Sequence, residues 1–194
     1  MRYDRVTRWL HAAIAFGITA QLGLSLFMEA PDDRDSHPAT GLPLQLFEAH
    51  ELIGLSLLGL LVAHWLWTLS SHVQGGMRHL FPWFNRKSLA TVMLDLRAIL
   101  RFQLKDPARE NALAGAIHGL GLLAATAMAA TGTVIFFNLS ESGHMTAPGG
   151  IFLELHSLFA SLIWVYYIGH VMMAIAHSWL GHASIREIFS LLKK

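Results

Sequence analysis

The sequence predicts an all-α integral membrane protein: a four-helix bundle of spanning helices, with one further interfacial helix in the cytoplasmic loop between helices two and three. Three observations predict it. The 194-residue chain is 54% hydrophobic and only 14% charged, whereas a soluble domain carries roughly a quarter charged residues. The charges are segregated, leaving long stretches with almost none, as spanning helices require. The lysines and arginines concentrate in alternate connections, the pattern of a chain threaded back and forth through a bilayer.

The first span is expected over about residues 8–28. Arg2, Arg5 and Arg8 ahead of an apolar run look like the opening of a signal peptide. Trp9 to Met28 is longer than the usual apolar core of such a peptide, however, and no small-x-small site closes it, which favours a retained helix. The other spans are expected over about 47–69, 112–137 and 151–179. Loop one holds Pro31, Asp32, Asp33, Asp35, Pro38 and Pro43; loop three holds Gly143, Pro148, Gly149 and Gly150. The long second connection is not featureless. Ser88 is placed to cap a helix in which Leu89, Val92, Met93, Leu96, Ile99 and Leu100 recur at three and four. Arg97, Arg101 and Lys105 flank that stripe, so the helix is expected to lie on the membrane surface. Residues 1–194 are thus expected to form one transmembrane domain.

Orientation follows from the basic residues. Arg2, Arg5 and Arg8 precede span one, seven from Arg78 to Arg109 lie between spans two and three, and Arg186, Lys193 and Lys194 follow span four. Only Arg34 of the fourteen falls on the other side. Both termini and loop two are therefore expected in the cytoplasm of a multi-pass protein of a bacterial inner membrane. Trp9, Trp65, Trp67, Trp83 and Trp179 fall near the same boundary, as an aromatic belt would. Nothing here suits nucleic acid; lipid is the evident partner.

Cysteine is absent and histidine stands at 12. That excludes disulfides, iron–sulfur clusters, covalently attached haem and thiolate-held zinc, and leaves any metal chemistry to histidine. His50 and His64 lie fourteen residues apart in span two, and His156 and His170 fourteen apart in span four. Fourteen residues is nearly four helical turns, so each pair shares a helix face over about 21 Å. Imidazoles on facing helices are a usual means of gripping haem iron from both sides, and ionisable groups inside a membrane are functional candidates by default. The expectation is two b haems, one near each face. At the outer level only His50 and His156 are available, with Gly54 one turn from His50, where a missing side chain would let a flat porphyrin approach. At the inner level His11, His64, His118 and His170 compete for two positions. Spacing favours His64 with His170; nothing in the spacing eliminates the others.

The run Tyr3-Asp4-Arg5-Val6-Thr7-Arg8-Trp9-Leu10-His11, His50 with Gly54, Thr131-Gly132 and the His156/His170 spacing together resemble the bacterial cytochrome b561 and nickel–iron hydrogenase cytochrome b-subunit family, over nearly the whole chain. The resemblance implies that His11 and His170 ligate the iron of the inner haem, and His50 and His156 that of the outer one. It also implies that His64, at a position where relatives often carry arginine, and His118 serve a haem propionate or a quinone oxygen. His64 in place of His11 stays open. Arg8 is a candidate propionate partner, and Ser157, Thr7 and helical carbonyls one turn back are candidates to orient the imidazoles.

With both axial positions filled by protein, the expected job is electron transfer rather than oxygen binding. The leading expectation is a di-haem carrier between membrane quinone and a redox protein of hydrogenase, dehydrogenase or cytochrome c type. That makes the chain an electron-transfer subunit rather than a self-sufficient enzyme. The other reading is a stand-alone oxidoreductase from a small reductant such as superoxide to quinone. For the quinone itself, His64 with His118 and Arg109, or Glu48 and Glu51, offer polar groups beside a haem.

Overall fold

A computed structural model describes residues 4–32, 39–70, 76–101, 103 and 112–181. Arg2, Arg34, Lys105, Arg109, Arg186, Lys193 and Lys194 lie outside the described residues, so their part in the charge pattern remains a sequence observation. The described elements are helical: α1 (Arg5–Leu24), α2 (Leu42–Leu69), α3 (Gly76–Leu80), a short 3₁₀ turn (Pro82–Phe84), α4 (Arg86–Leu100), α5 (Ala112–Asn138) and α6 (Ala147–Trp179). The described residues contain no strand beyond an isolated bridge between Leu139 and Met145.

Among the described residues, three helical stretches are long and apolar enough to cross a membrane: Leu42–Leu69, Ala112–Asn138 and Pro148–Trp179. Their outer surfaces suit lipid, not water. On α6 alone, Ile151, Leu158, Leu162, Val165, Ile168 and Met172 are each at least half exposed, a run of apolar surface that a soluble monomer does not tolerate. α1 is shorter and more polar, carrying Arg5, Arg8, His11, Thr19 and Gln21.

The helix boundaries depart from the spacing in instructive places. Pro43 and Pro148, expected in loops, each stand in the first turn of a helix, α2 and α6. A proline is tolerated there because its missing N–H has no partner to lose. α1 ends at Leu24, not 28, and a tight turn follows in which Leu26 and Phe27 donate to the carbonyls of Gly23 and Leu24. α4 begins at Arg86 and is capped by Asn85, whose side-chain oxygen accepts from the Lys87 N–H. Ser88, the expected cap, lies inside the helix. Asn85 wins because its extended backbone (φ −128°, ψ 120°) places its side chain over the open N–H groups.

By internal contacts the chain falls into two compact units. One comprises Met1–Ala12, Ala63–Leu123 and Val165–Lys194; the other comprises Ala13–Val62 and Ala124–Trp164. α1, α2, α5 and α6 each contribute a segment to both.

In the first unit, Trp67 donates its indole N–H to the Thr7 hydroxyl at 3.2 Å, tying α2 to α1. Gly115 and Gly119, one turn apart on α5, lie against the carbonyls of His79 and Leu80 at the end of α3; a side chain at either glycine would strike that backbone. Phe81 stacks on Trp65 at 6.0 Å and 4°, fastening the 3₁₀ turn to α2. In the second unit, Gly17 of α1 abuts Leu57 of α2. The α5–α6 link is closed by Thr146, whose hydroxyl donates to the Asn138 side-chain oxygen at 2.6 Å. Gly143 turns the chain there at φ 84°, a conformation glycine adopts without strain.

Candidate functional site

Each unit gathers its own histidines. In the second unit, His50 on α2 and His156 on α6 face each other with ring centres 6.4 Å apart and planes at 82°. Two adjacent residues of α5 attend His156. The Thr131 hydroxyl sits 3.0 Å from His156 Nδ1 and also 2.9 and 3.0 Å from the carbonyl oxygens of Ala127 and Met128. The hydroxyl has one proton, and the carbonyls can only accept. It therefore donates to the helix and accepts from His156 Nδ1–H, which leaves the lone pair on Nε2. At Gly132 a side chain would meet the His156 ring, with Cε1 only 3.0 Å from an added Cβ. One residue sets the tautomer and its neighbour makes room for the ring.

His50 is held differently. The Gln21 amide of α1 donates to the His50 carbonyl at 2.9 Å. It reaches there because Gly54 is bare: a Cβ at 54 would stand 2.9 Å from Gln21 Nε2. In this structure the open face of Gly54 thus admits an amide from α1. His50 Nδ1 and Gln21 Oε1 are buried and make no hydrogen bond among the described residues.

The first unit brings three histidines together. His11 of α1, His118 of α5 and His170 of α6 offer ligand nitrogens that all lie within 4.8 Å of one another. The ring centres are 6.4 Å apart for His11 and His170, 6.3 Å for His11 and His118, and 5.2 Å for His118 and His170. His118 Nδ1 lies 2.7 Å from the Ala114 carbonyl one turn back. A carbonyl only accepts, so Nδ1 carries the proton and Nε2 the lone pair. Tyr166, one turn before His170 on α6, stacks on its ring at 5.4 Å and 14°. Gly121 makes that possible, because a side chain there would overlap the tyrosine ring. His64 is not part of the three-histidine group. Its Nδ1 lies 3.2 Å from the Thr68 hydroxyl, which donates to the His64 carbonyl at 2.8 Å.

The chain matches the prokaryotic cytochrome b561 family over residues 2–190. It belongs to that family. Membership makes it a transmembrane haem b electron-transfer protein of a prokaryotic family, embedded in lipid and served by a redox partner. No curated protein and no solved structure matched the chain.

The residues present fit a haem of this family. A metal shared by two imidazoles sits about 2.0–2.1 Å from each nitrogen, and each nitrogen lies about 1.1 Å from its ring centre, so ring centres across one ion fall about 6.3 Å apart. The His50–His156 and His11–His170 separations meet that figure. The buried His50 nitrogen, the tautomer set by Thr131 and the bare Gly132 are further features of a ligand site.

Other expected residues fall less centrally. Arg8 lies one turn before His11, half-buried. Thr7 is occupied in the α1 cap, its hydroxyl donating to Asp4 at 2.6 Å, and does not orient an imidazole. Ser157 is exposed, and its carbonyl accepts from Ser161. The orienting role expected of those two falls to Thr131, Ala114 and Thr68. Thr131 and Thr68 are two of the three buried polar side chains among the described residues. Spacing gave no sign of Thr131, since it acts across helices; Thr68, four residues after His64, was within reach of a helical rule. Arg109 lies outside the described residues.

Proposed function

We propose that this cytochrome carries two b haems through four spanning helices, one held by His50 and His156, the other by His11 and His170. It passes electrons between membrane quinone and a redox partner protein. The observation that carries the reading is the pair of 6.4 Å ring separations, one in each unit, between histidines of different helices. When bound, haem iron supplies one-electron chemistry. The chain supplies the rest. Thr131 and Ala114 orient imidazoles through Nδ1, the glycines let rings and neighbouring backbone approach, and apolar helix surface keeps water away.

α1 is the fourth span in this reading, completed by the polar side chains it turns toward the histidines. The asymmetry of lysine and arginine supports cytoplasmic termini in the bacterial inner membrane. α4 supports the surface-helix expectation in an altered form. It turns Asp95 inward and leaves Leu89, Met93, Leu96 and Leu100 exposed along one face, beside Arg97 and Arg101. Apolar residues flanked by arginines suit the headgroup boundary of an anionic leaflet.

The test is a haem count with axial-ligand spectroscopy on protein purified after growth with ample haem. Two haems per chain, both low-spin with bis-imidazole signatures, are expected. A count of one, or a high-spin majority, would overturn the two-haem reading while leaving the family intact.

A further inference from the structure

We propose that His118 is a second, interchangeable partner for His11, so that the first unit's iron site has a reserve axial ligand and the second unit's does not. The inference rests on the assignment of His11 and His170 as a ligand pair and extends it.

Three observations carry it. First, His118 and His170 stand at the same separation from His11, 6.3 and 6.4 Å between ring centres, and both figures suit two imidazoles across one ion. Second, His118 and His170 are 5.2 Å apart and edge to face, too close to stand on opposite sides of one haem iron. They are alternatives facing His11, not a pair of their own. Third, His118 is poised to ligate. Its Nδ1–H is committed to the Ala114 carbonyl, which leaves the lone pair on Nε2, and it belongs to the group whose ligand nitrogens all fall within 4.8 Å of one another. A neutral imidazole held by a backbone acceptor at one nitrogen is the usual arrangement of a metal-bound histidine. Among the described residues no third histidine joins His50 and His156 in such a group.

The test uses the whole membrane protein, purified with haem, in four forms: wild type, His170→Gly, His118→Gly with His170→Gly, and His156→Gly. Haem per chain and the ferric low-spin resonance spectrum are read for each. His170→Gly is expected to keep both haems, with one low-spin signal shifted. The double variant should lose the first unit's haem, to below about a tenth of the wild-type occupancy, as expected when an iron site is left with one ligand. His156→Gly should drop to one haem at once. The haem held by His50 and His156 reports folding in the first-unit variants, and added imidazole should restore the missing haem to the double variant if its loss is a ligand defect. Loss of a haem in His170→Gly alone would overturn the reserve role and leave the two-haem reading standing. Retention of both haems in the double variant would overturn it too, pointing to His64. A wild type without two haems would instead sink the underlying assignment.

Discussion

The two units solve one problem, holding two imidazoles at a common distance, with different means. In the second unit two histidines face each other, and α5 spends Thr131 and Gly132 on the ring of His156. In the first unit three histidines cluster, and the stack on His170 comes from Tyr166 of its own helix. Their surroundings differ as well. Thirteen of fourteen basic residues and five of six tryptophans belong to the stretches of the first unit, while eight of the thirteen acidic residues belong to the second. In the proposed reading one site is built for a fixed geometry, and the other has a ligand to spare within a basic, aromatic-rimmed segment. Precision of placement and redundancy of ligands are distinct routes to keeping an iron bound.

Substitutions can break this contrast. The largest effects are expected at ligands without substitutes. His50→Gly should abolish the second unit's haem, and His11→Gly the first unit's, because both alternative partners face His11; a haem count on each variant checks this. Next come the residues that serve the fixed site. Thr131→Val removes the acceptor for His156 Nδ1–H, and loss of such an orienting partner weakens metal binding about tenfold or more. Haem release from the second unit should quicken accordingly, with the first unit's haem unchanged. Gly121→Ala should act through Tyr166. The displaced tyrosine frees the His170 ring, which should shift the low-spin signal of that haem alone, whereas Tyr166→Phe should keep it.

The smallest effect concerns the start of α1. Burial pushes the Asp4 carboxyl up, but hydrogen bonds from the Thr7 hydroxyl, the Thr7 backbone N–H and the Trp67 indole outweigh it and hold the carboxyl below its usual range. A carboxylate with a depressed folded value stabilises above its unfolded value, and that help is lost as pH falls through the folded one. The cap at Asp4 should therefore weaken only in acid below the ordinary carboxylate range. Asp4→Ala should cost about 1 kcal/mol at neutral pH, seen as a lower midpoint for thermal release of the first unit's haem. The difference from wild type should vanish at low pH.

Much was legible beforehand, for reasons that can be named. Apolar length and period placed α2, α5 and α6 to within a few residues, because backbone groups in lipid must be satisfied within the helix itself. Pro43 and Pro148 misled because a proline marks a loop and a first turn equally well. His50 with His156 was legible because the expected spans place no other histidine near that level. In the other group spacing favoured His64, whereas the family resemblance pointed to His11 with His170; the structure keeps His64 with Thr68 and brings His11 and His170 together, with His118 added.

The sequence by itself determined which segments are apolar enough to span, which connections are basic, and which histidines lie at which depth along their helices. Each of these is a property of one segment and its register. Only the tertiary structure decided which imidazoles meet, that Thr131 and Gly132 serve His156, and that α4 turns Asp95 inward. Those outcomes depend on the rotation of each helix about its axis relative to its neighbours. That rotation is set by contacts between small and large residues far apart in the chain, and no local period records it.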